Sequence, residues 1–241
     1  IIQGRALPDG LSDIQNGMAD IEHHMLHFLD NHDEQRLASP EFAGTPQKGK
    51  PLMVVSTTIS TSPTMVYFGQ EVGEAGNENA GFGTHSRTSI FDYIGVPNHQ
   101  RWMNGGKFDG GQLTQEEKEL RDFYKRILNF SLNSTALMGE YQEIQTVNRQ
   151  TTQGYDPGIY AFTRWSDTQK LVIVTNFSWL STSNFELKIP SEIIRKWNLK
   201  DGNYTVTDQL YNKSSVQLQV LNGEGKAQIT IAPSESFIYQ L

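Results

Sequence analysis

From residue 138 onward, this 241-residue chain repeats one pattern, and that pattern restricts its fold more than any other feature of the sequence. Short runs in which apolar and polar residues alternate, or which are apolar throughout, follow one another: GIYAFTRWS, KLVIVTNFS, NFELKI, NYTVTDQL, SVQLQVL and KAQITI. Turn residues such as Ser166-Asp167 and Asn222-Gly223 separate several of them, as β-hairpins require. This pattern predicts an antiparallel β-sandwich.

The residues before this region carry helical signals instead. Apolar residues at spacings of three and four predict an amphipathic helix over residues 11–25. Thr114 and Glu117 form a capping box ahead of an apolar stripe, which predicts the start of another helix. We therefore expect two domains, one over residues 1–137 and a second over residues 138–241.

Two strand-like segments of the first domain each end in polar side chains. The apolar residues of MLHFL lead to Asn31, His32 and Asp33, and the segment PTMVYFG leads to Gln70 and Glu71. Between them, PLMVVSTTIS fits either a strand or a buried helix. A separation of about 30 residues suits successive βα units, and the active site of a (β/α)8 barrel lies at the carboxyl ends of its strands. A carboxylate beside an imidazole there can bind sugar hydroxyls or stabilise a cationic transition state.

Composition and charge exclude several functions. Hydrophobic residues make up 37% of the chain and charged residues 20%, so it can bury a core. A net charge of -7 without a basic run argues against nucleic-acid binding, and no apolar run approaches the ~20 residues that span a bilayer. The absence of cysteine excludes disulfides and thiolate metal sites. His23, His24 and His27 have no carboxylate or thiolate at a ligand spacing, so we predict no metal site.

The two polar segments resemble two motifs of one enzyme family. FLDNHD is similar to the Phe-x-x-x-His-Asp motif at the seventh barrel strand of the α-amylase family, glycoside hydrolase family 13. SPTMVYFGQEVG is similar to the eighth-strand motif of that family, although Thr61 stands where the motif has a glycine two residues before its proline. The strand-rich region that follows resembles the C-terminal sandwich domain of these enzymes. The resemblance covers essentially the whole chain.

The resemblance implies a role for each matching residue. Asp33 matches the family's third essential carboxylate, which holds sugar hydroxyls and stabilises the oxocarbenium-like transition state. His32 matches the imidazole that binds hydroxyls of the sugar at the cleavage site. Asn31 and Arg36 flank the motif, and we interpret them as substrate-positioning groups, with Arg36 paired to a nearby acid.

The resemblance gives the eighth-strand residues a supporting role and leaves part of the active site outside this chain. Glu71 matches an acid that is more often supporting than catalytic, and Gln70 precedes it. The nucleophile and the acid/base of the family come from its fourth and fifth strands, and the fourth-strand pattern does not occur before Asp33. We therefore expect a C-terminal fragment, consisting of the seventh and eighth strand units of a (β/α)8 barrel and the sandwich, that is inactive alone. The chain begins with Ile1 and without a signal peptide, which agrees with a processed chain or a fragment.

The implied activity is hydrolysis of α-1,4-glucosidic bonds in starch-like glucans with retention, and the implied ligand is an α-glucan or maltooligosaccharide. An α-glucosidase, a debranching enzyme or a transglycosylase of the same family stays open, as does a non-catalytic carbohydrate-binding or scaffold module. No cofactor is expected in this chain, whereas calcium stays open for the parent enzyme. The compartment also stays open, with a secreted or periplasmic parent enzyme as one option. Because a partial barrel exposes strand edges and apolar surface, we expect self-association.

Several aromatic residues offer further candidate sugar contacts. Asp92 and Tyr93 fit an outer subsite, and Trp102 fits either a sugar-stacking or a packing role. In the alternative of a carbohydrate-binding sandwich, Trp165 or Trp179 would be exposed and would stack on sugar rings.

Overall fold

A computed structural model of the chain describes residues 1–77, 86–88 and 95–241. The α-helices in these residues are α1 (Gly10–Gly17), α2 (Lys50–Thr58), α3 (Pro97–Met103), α4 (Gln115–Asn133), α5 (Gln145–Thr151) and α6 (Ser191–Lys196). Short 3-10 helices cover Glu22–His24, Pro46–Gly49, Gln70–Val72, Asn104–Gly106 and Thr135–Met138. No helix within the described ranges combines the length and the apolar character needed to cross a membrane.

The C-terminal region forms an eight-stranded antiparallel sheet, as the repeated pattern predicted. Its strands are β3 (Glu140–Glu143), β4 (Ile159–Trp165), β5 (Lys170–Asn176), β6 (Ser183–Ile189), β7 (Gly202–Asp208), β8 (Ser215–Leu221), β9 (Glu224–Ile231) and β10 (Ser236–Gln240). They lie in the order β3-β4-β5-β10-β7-β8-β9-β6. Asn222 and Gly223, at φ of 52° and 75°, form the two-residue turn between β8 and β9. Positive φ at both positions is what a type I′ hairpin requires.

The sheet curls so that strands from both ends of its order share one core. Ile159 and Trp165 of β4 belong to the same buried cluster as Phe185 and Leu187 of β6. Residues of β6 and β9 alternate between buried and exposed, because only one face of these strands points into the core. This arrangement is consistent with the predicted β-sandwich.

The other face of the sheet packs against helices of the N-terminal region. Tyr160 and Phe162 of β4 share a second buried cluster with Met53 of α2 and with Phe123 and Ile127 of α4. Strand β4 is therefore buried on both faces, and all seven of its residues are buried. Helix α2, which lies between the two N-terminal motifs, and helix α4, which follows them, thus pack directly on the sheet.

Two short strands near the N-terminal motifs pair in parallel. Strand β1 (His27–Phe28) lies beside β2 (Thr64–Met65), with His27 opposite Thr64 and Phe28 opposite Met65. Parallel pairing is what consecutive βα units require. Two strands do not by themselves define a (β/α)8 barrel.

The structure corrects some of the local predictions. The predicted helix over residues 11–25 ends at Gly17, and Ile14 and Ile21 on its apolar face are exposed. The ambiguous segment PLMVVSTTIS is helix α2, and the predicted strand PTMVYFG is reduced to the two residues of β2. Helix α4 begins as predicted, with the capping box between Thr114 and Glu117 formed in both directions.

Candidate functional site

The loop after β1 presents His32 and Asp33 to solvent. Their side chains are 60% and 74% exposed, and His32 Nε2 lies 3.3 Å from Asp33 Oδ2. Asn31 shapes the loop, because its Oδ1 accepts hydrogen bonds from the backbone amides of Asp33 and Glu34, both at 2.8 Å. This is the side-chain-to-backbone turn that asparagine favours. The structure therefore brings the predicted carboxylate and imidazole together, with Asn31 supporting the turn that carries them.

Arg36 anchors the same loop from inside the protein. Its side chain is fully buried, and Nη1 lies 3.4 Å from Oδ2 of Asp30. Its Nε donates to Thr88 Oγ1 at 2.7 Å. The guanidinium carbon lies 4.5 Å from the ring centroid of Tyr67 and 4.7 Å from that of Phe68. A buried, stacked and paired arginine is a structural anchor, so Arg36 lies below the candidate site and supports it.

Asp30 lies beside Arg36 at the base of the same loop, and no sequence motif pointed to it. It is 1% exposed, and its Oδ1 accepts the backbone amide of Leu37 at 2.8 Å. Burial raises the pKa of the Asp30 carboxyl and lowers the pKa of the Arg36 guanidinium, while the attraction between the two opposes both shifts. The only signal in the sequence was an acidic residue six positions before Arg36. Asp33 matches a defined position of the motif, whereas Asp30 occupies one of its variable positions.

The eighth-strand residues Gln70 and Glu71 lie on a short turn after β2. The turn is flanked by Gly69 and Gly73 at φ of 79° and 76°, a conformation that side chains beyond glycine rarely adopt. Gln70 is buried, and its Nε2 donates to the hydroxyl of Tyr124 in α4 at 3.0 Å. Gln70 therefore fixes the turn to α4.

Glu71 lines a cleft of about 700 Å³ between the segment after β2 and helix α4. Trp102 and His99 stack in this cleft with their ring centroids 5.6 Å apart, and the guanidinium carbon of Arg121 lies 5.6 Å from the centroid of Trp102. Burial lowers the pKa of the His99 imidazole. This cluster gives Trp102 packing partners in His99 and Arg121. The other subsite candidates, Asp92 and Tyr93, lie outside the described residues.

The tryptophans of the sheet region differ in exposure. Trp165 is only 8% exposed and packs edge-on against Trp197, so the prediction of an exposed Trp165 is wrong. Its position on β4, next to the curled core, explains the burial. Trp179 is 44% exposed, with the Lys48 ammonium 5.2 Å from its ring centroid. Of these two candidates, Trp179 alone presents a face to solvent.

The described residues offer no group of three or more histidine, aspartate or glutamate side chains that could hold a metal ion. The rings of His23 and His24 contact each other, with centroids 3.9 Å apart. His27 Nδ1 lies 2.9 Å from the carbonyl oxygen of Ser56.

Several solved structures share this fold. A maltogenic α-amylase, AmyB from Thermotoga neapolitana, matches all of this chain with a TM-score of 0.65 and 14% identity. AmyP in complex with maltotriose matches 95% of it with a TM-score of 0.62 and 19% identity. An α-amylase from Geobacillus thermoleovorans in complex with acarbose matches 98% with a TM-score of 0.62 and 15% identity. Cyclomaltodextrin glucanotransferases are also similar.

The chain spans less than half of each of these three proteins: 47%, 44% and 43% of their lengths. The matched region is their C-terminal part. No protein-family model and no curated protein sequence matches the chain. At these identities the likeness concerns the fold, and it agrees with the resemblance that the two motifs indicated. The chain has the fold of the C-terminal part of α-amylase-family enzymes, glycoside hydrolase family 13.

Proposed function

We propose that this chain is the C-terminal part of an α-amylase-type glycoside hydrolase that cleaves α-1,4-glucosidic bonds of starch-like glucans with retention. The observation that carries the proposal is the contact between His32 and Asp33, on an exposed turn that directly follows a parallel strand. The similar structures in complex with maltotriose and acarbose support an oligosaccharide ligand.

Each exposed side chain has a chemical role in this proposal. Asp33 accepts hydrogen bonds from sugar hydroxyls, and its negative charge stabilises the positive charge that develops on the sugar in an oxocarbenium-like transition state. His32 binds a hydroxyl of the same sugar, and its 3.3 Å contact with Asp33 orients both groups. Asn31 shapes the turn that presents Asp33, and Arg36 anchors the loop below it.

The proposal includes a partial (β/α)8 barrel. The described strands and α-helices of this region run β1, α2, β2, α3 and α4 along the chain, and β1 pairs in parallel with β2. Asp33 follows β1 and Glu71 follows β2, so both lie beyond the carboxyl ends of parallel strands, where barrel enzymes place their active sites. We assign β1 and β2 to the seventh and eighth strands of the barrel.

A retaining mechanism requires a nucleophile and an acid/base whose carboxyl groups are about 5 to 5.5 Å apart. Asp30 is unsuited to either role, because it is buried and bound to Arg36. The proposal therefore places both missing carboxylates in a preceding part of the parent enzyme. It assigns no cofactor to this chain, and a calcium ion in the parent enzyme would take its ligands largely from outside these residues.

Reducing-end release from soluble starch tests the fragment part of the proposal. The 241-residue chain and its Asp33→Asn variant are both expected to be inactive while folded, as judged by circular dichroism. Activity in the unsubstituted chain that disappears in the variant would show a self-sufficient active site, and the division of the catalytic groups would be wrong.

Related specificities of the same family are the first alternative, and the similarity to cyclomaltodextrin glucanotransferases keeps transglycosylation among them. The product profile of the full-length enzyme distinguishes these activities, because a transglycosylase makes longer or cyclic glucans and a hydrolase makes shorter ones.

A carbohydrate-binding sandwich is the alternative from a different class, and the half-exposed Trp179 is the observation that favours it. Calorimetric titration of the chain with maltoheptaose, beside Trp179→Ala and the buried-site control Trp165→Phe, tests it. Binding that is lost only in Trp179→Ala would support this module, whereas an absence of heat would remove it.

A further inference from the structure

We propose that Asp30 is a positioning residue of the candidate site, which acts through Arg36 to fix the turn that carries His32 and Asp33. The consequence for catalysis rests on the proposed function, whereas the effect on the turn does not.

Asp30 holds the two ends of the loop together. Its two carboxylate oxygens bind different groups near the far end of the loop: Oδ2 contacts Arg36 Nη1 at 3.4 Å, and Oδ1 accepts the amide of Leu37 at 2.8 Å. Asp30 lies two residues after the end of β1, so these contacts join the beginning of the loop to its end. The base of the loop is buried, while Asp33 at its tip is exposed.

Arg36 attaches the buried end of the loop to the eighth-strand motif. The Arg36 guanidinium lies 4.5 Å from the ring centroid of Tyr67 and 4.7 Å from that of Phe68. Both aromatic residues come just after β2. Arg36 therefore connects the loop after β1 to the segment after β2, and the two sequence motifs meet at this residue. A cation held over aromatic rings in a desolvated site is a strong contact.

Arg36 also binds residues 86–88. The backbone amide of Arg36 donates to the carbonyl of Ser86 at 2.8 Å, and its Nε donates to the hydroxyl of Thr88 at 2.7 Å. The hydroxyl of Tyr67 donates to the carbonyl of Thr88 at 3.2 Å. Arg36 is thus held by three separate segments, and Asp30 compensates its charge.

These contacts restrict the tip as well as the base. Asn31 follows Asp30 directly, and its Oδ1 accepts the amides of Asp33 and Glu34. Because the backbone of Asn31 starts from the fixed position of Asp30, a change at Asp30 is transmitted to the turn by one peptide bond. Side chains that contact a substrate must be held within a narrow range of positions, and surrounding residues such as Asp30 and Arg36 provide that restraint.

Amide hydrogen exchange of the 241-residue chain, followed by NMR, tests the proposal. Asp30→Asn keeps the size of the side chain and removes its negative charge. Arg36→Lys keeps the positive charge and removes the planar guanidinium group. In both variants the amides of Asp33 and Glu34 are expected to exchange at least about tenfold faster, beyond any change at Ile127 in the core of α4. The matched control Arg149→Lys alters a different arginine–aspartate pair, with Asp9, and should leave the turn unaffected.

A merely structural pair gives a different result. If Asp33 and Glu34 keep their protection, or lose it only in proportion to Ile127, the proposal is overturned. Should the single variants not fold, the double variant Asp30→Leu/Arg36→Met replaces the pair by apolar groups, an exchange that often retains stability. It must then show rapid exchange at the turn in a folded protein.

A second readout separates this proposal from the proposed function. In the full-length enzyme, Asp30→Asn should lower kcat about tenfold with little change in KM. An enzyme in which Asp33→Asn has no effect would refute the catalytic role of Asp33, while the exchange result would still decide the role of Asp30. Full activity of Asp30→Asn in an enzyme that needs Asp33 would refute the positioning role.

Discussion

Arg164 of β4 donates from Nη1 to the carbonyl oxygen of Ile59 at 2.6 Å, at the C-terminal end of α2. Its Nη2 donates to the carbonyls of Leu137 and Gly139 at 2.5 and 3.1 Å. The side chain is fully buried, and burial lowers the pKa of Arg164 to about 10. One arginine of the sheet thus binds the helix that lies between the two N-terminal motifs.

We predict that Arg164→Met destabilises the protein by about 3 kcal/mol, because methionine retains the packing but leaves buried carbonyls without donors. Urea unfolding followed by circular dichroism measures the change. The exposed Arg195→Met provides the control and should change the free energy of unfolding by less than about 0.5 kcal/mol. Equal effects of the two substitutions would contradict the role given to Arg164.

The contact between Arg101 and Glu117 makes stability depend on pH. Burial raises the pKa of the Glu117 carboxyl, but hydrogen bonds from Arg101 and from the Thr114 amide outweigh burial and hold that pKa below its usual range. A carboxyl whose folded pKa is depressed contributes stability above its unfolded pKa of about 4.3, and this contribution is lost as the pH falls through the folded value.

Glu117→Gln is therefore expected to lower the free energy of unfolding by about 1 to 3 kcal/mol at pH 7. The difference from the unsubstituted chain should shrink as the pH falls below about 4. Thermal unfolding at a series of pH values measures it. Glu116→Gln, at an exposed position of the same helical turn, is the control. A Glu117→Gln deficit that is independent of pH would contradict the electrostatic explanation.

Apolar surface near β1 predicts self-association of the chain. Ile14, Leu26 and Phe28 are 58%, 48% and 42% exposed and line a cleft of about 310 Å³ beside the parallel strand pair. Contiguous exposed apolar surface and free strand edges favour association. Light scattering at increasing concentration should show species above 27.2 kDa.

Ile14→Glu places a charge in this cleft and is expected to shift the chain towards the monomer. Leu180→Glu acts on a residue that is 86% exposed in another region, so it should leave association unchanged. A monomer at every concentration, or equal effects of the two substitutions, would rule out this surface as the site of association.

Local signals predicted the elements whose stability is local. The capping box at Thr114 and the Asn222-Gly223 turn depend on neighbouring residues, and both form as expected. The segment of α2 was ambiguous, because a helix buried on most sides and a buried strand are both rich in apolar residues. The two-residue length of β2 depends on its partners across the sheet, which sequence patterns do not specify.

The candidate site shows the same division. Local motifs indicated Asp33 and His32, and the structure brings them into contact. The sequence did not indicate Asp30, because its proposed role depends on burial beside Arg36. The contacts of Arg36 with Tyr67 and Phe68 form only in the folded chain. Trp165 was misjudged for the same reason, since the curl of the sheet buries it.

The most direct test of the central claim is the kcat of the full-length enzyme on maltoheptaose with Asp33→Asn, beside Glu34→Gln as the neighbouring acidic control. If Asp33 stabilises the transition state, kcat falls at least about 10²-fold in Asp33→Asn with little change in KM, whereas Glu34→Gln stays close to the unsubstituted enzyme. An Asp33→Asn enzyme that retains its kcat would contradict the assignment of Asp33 to the catalytic site.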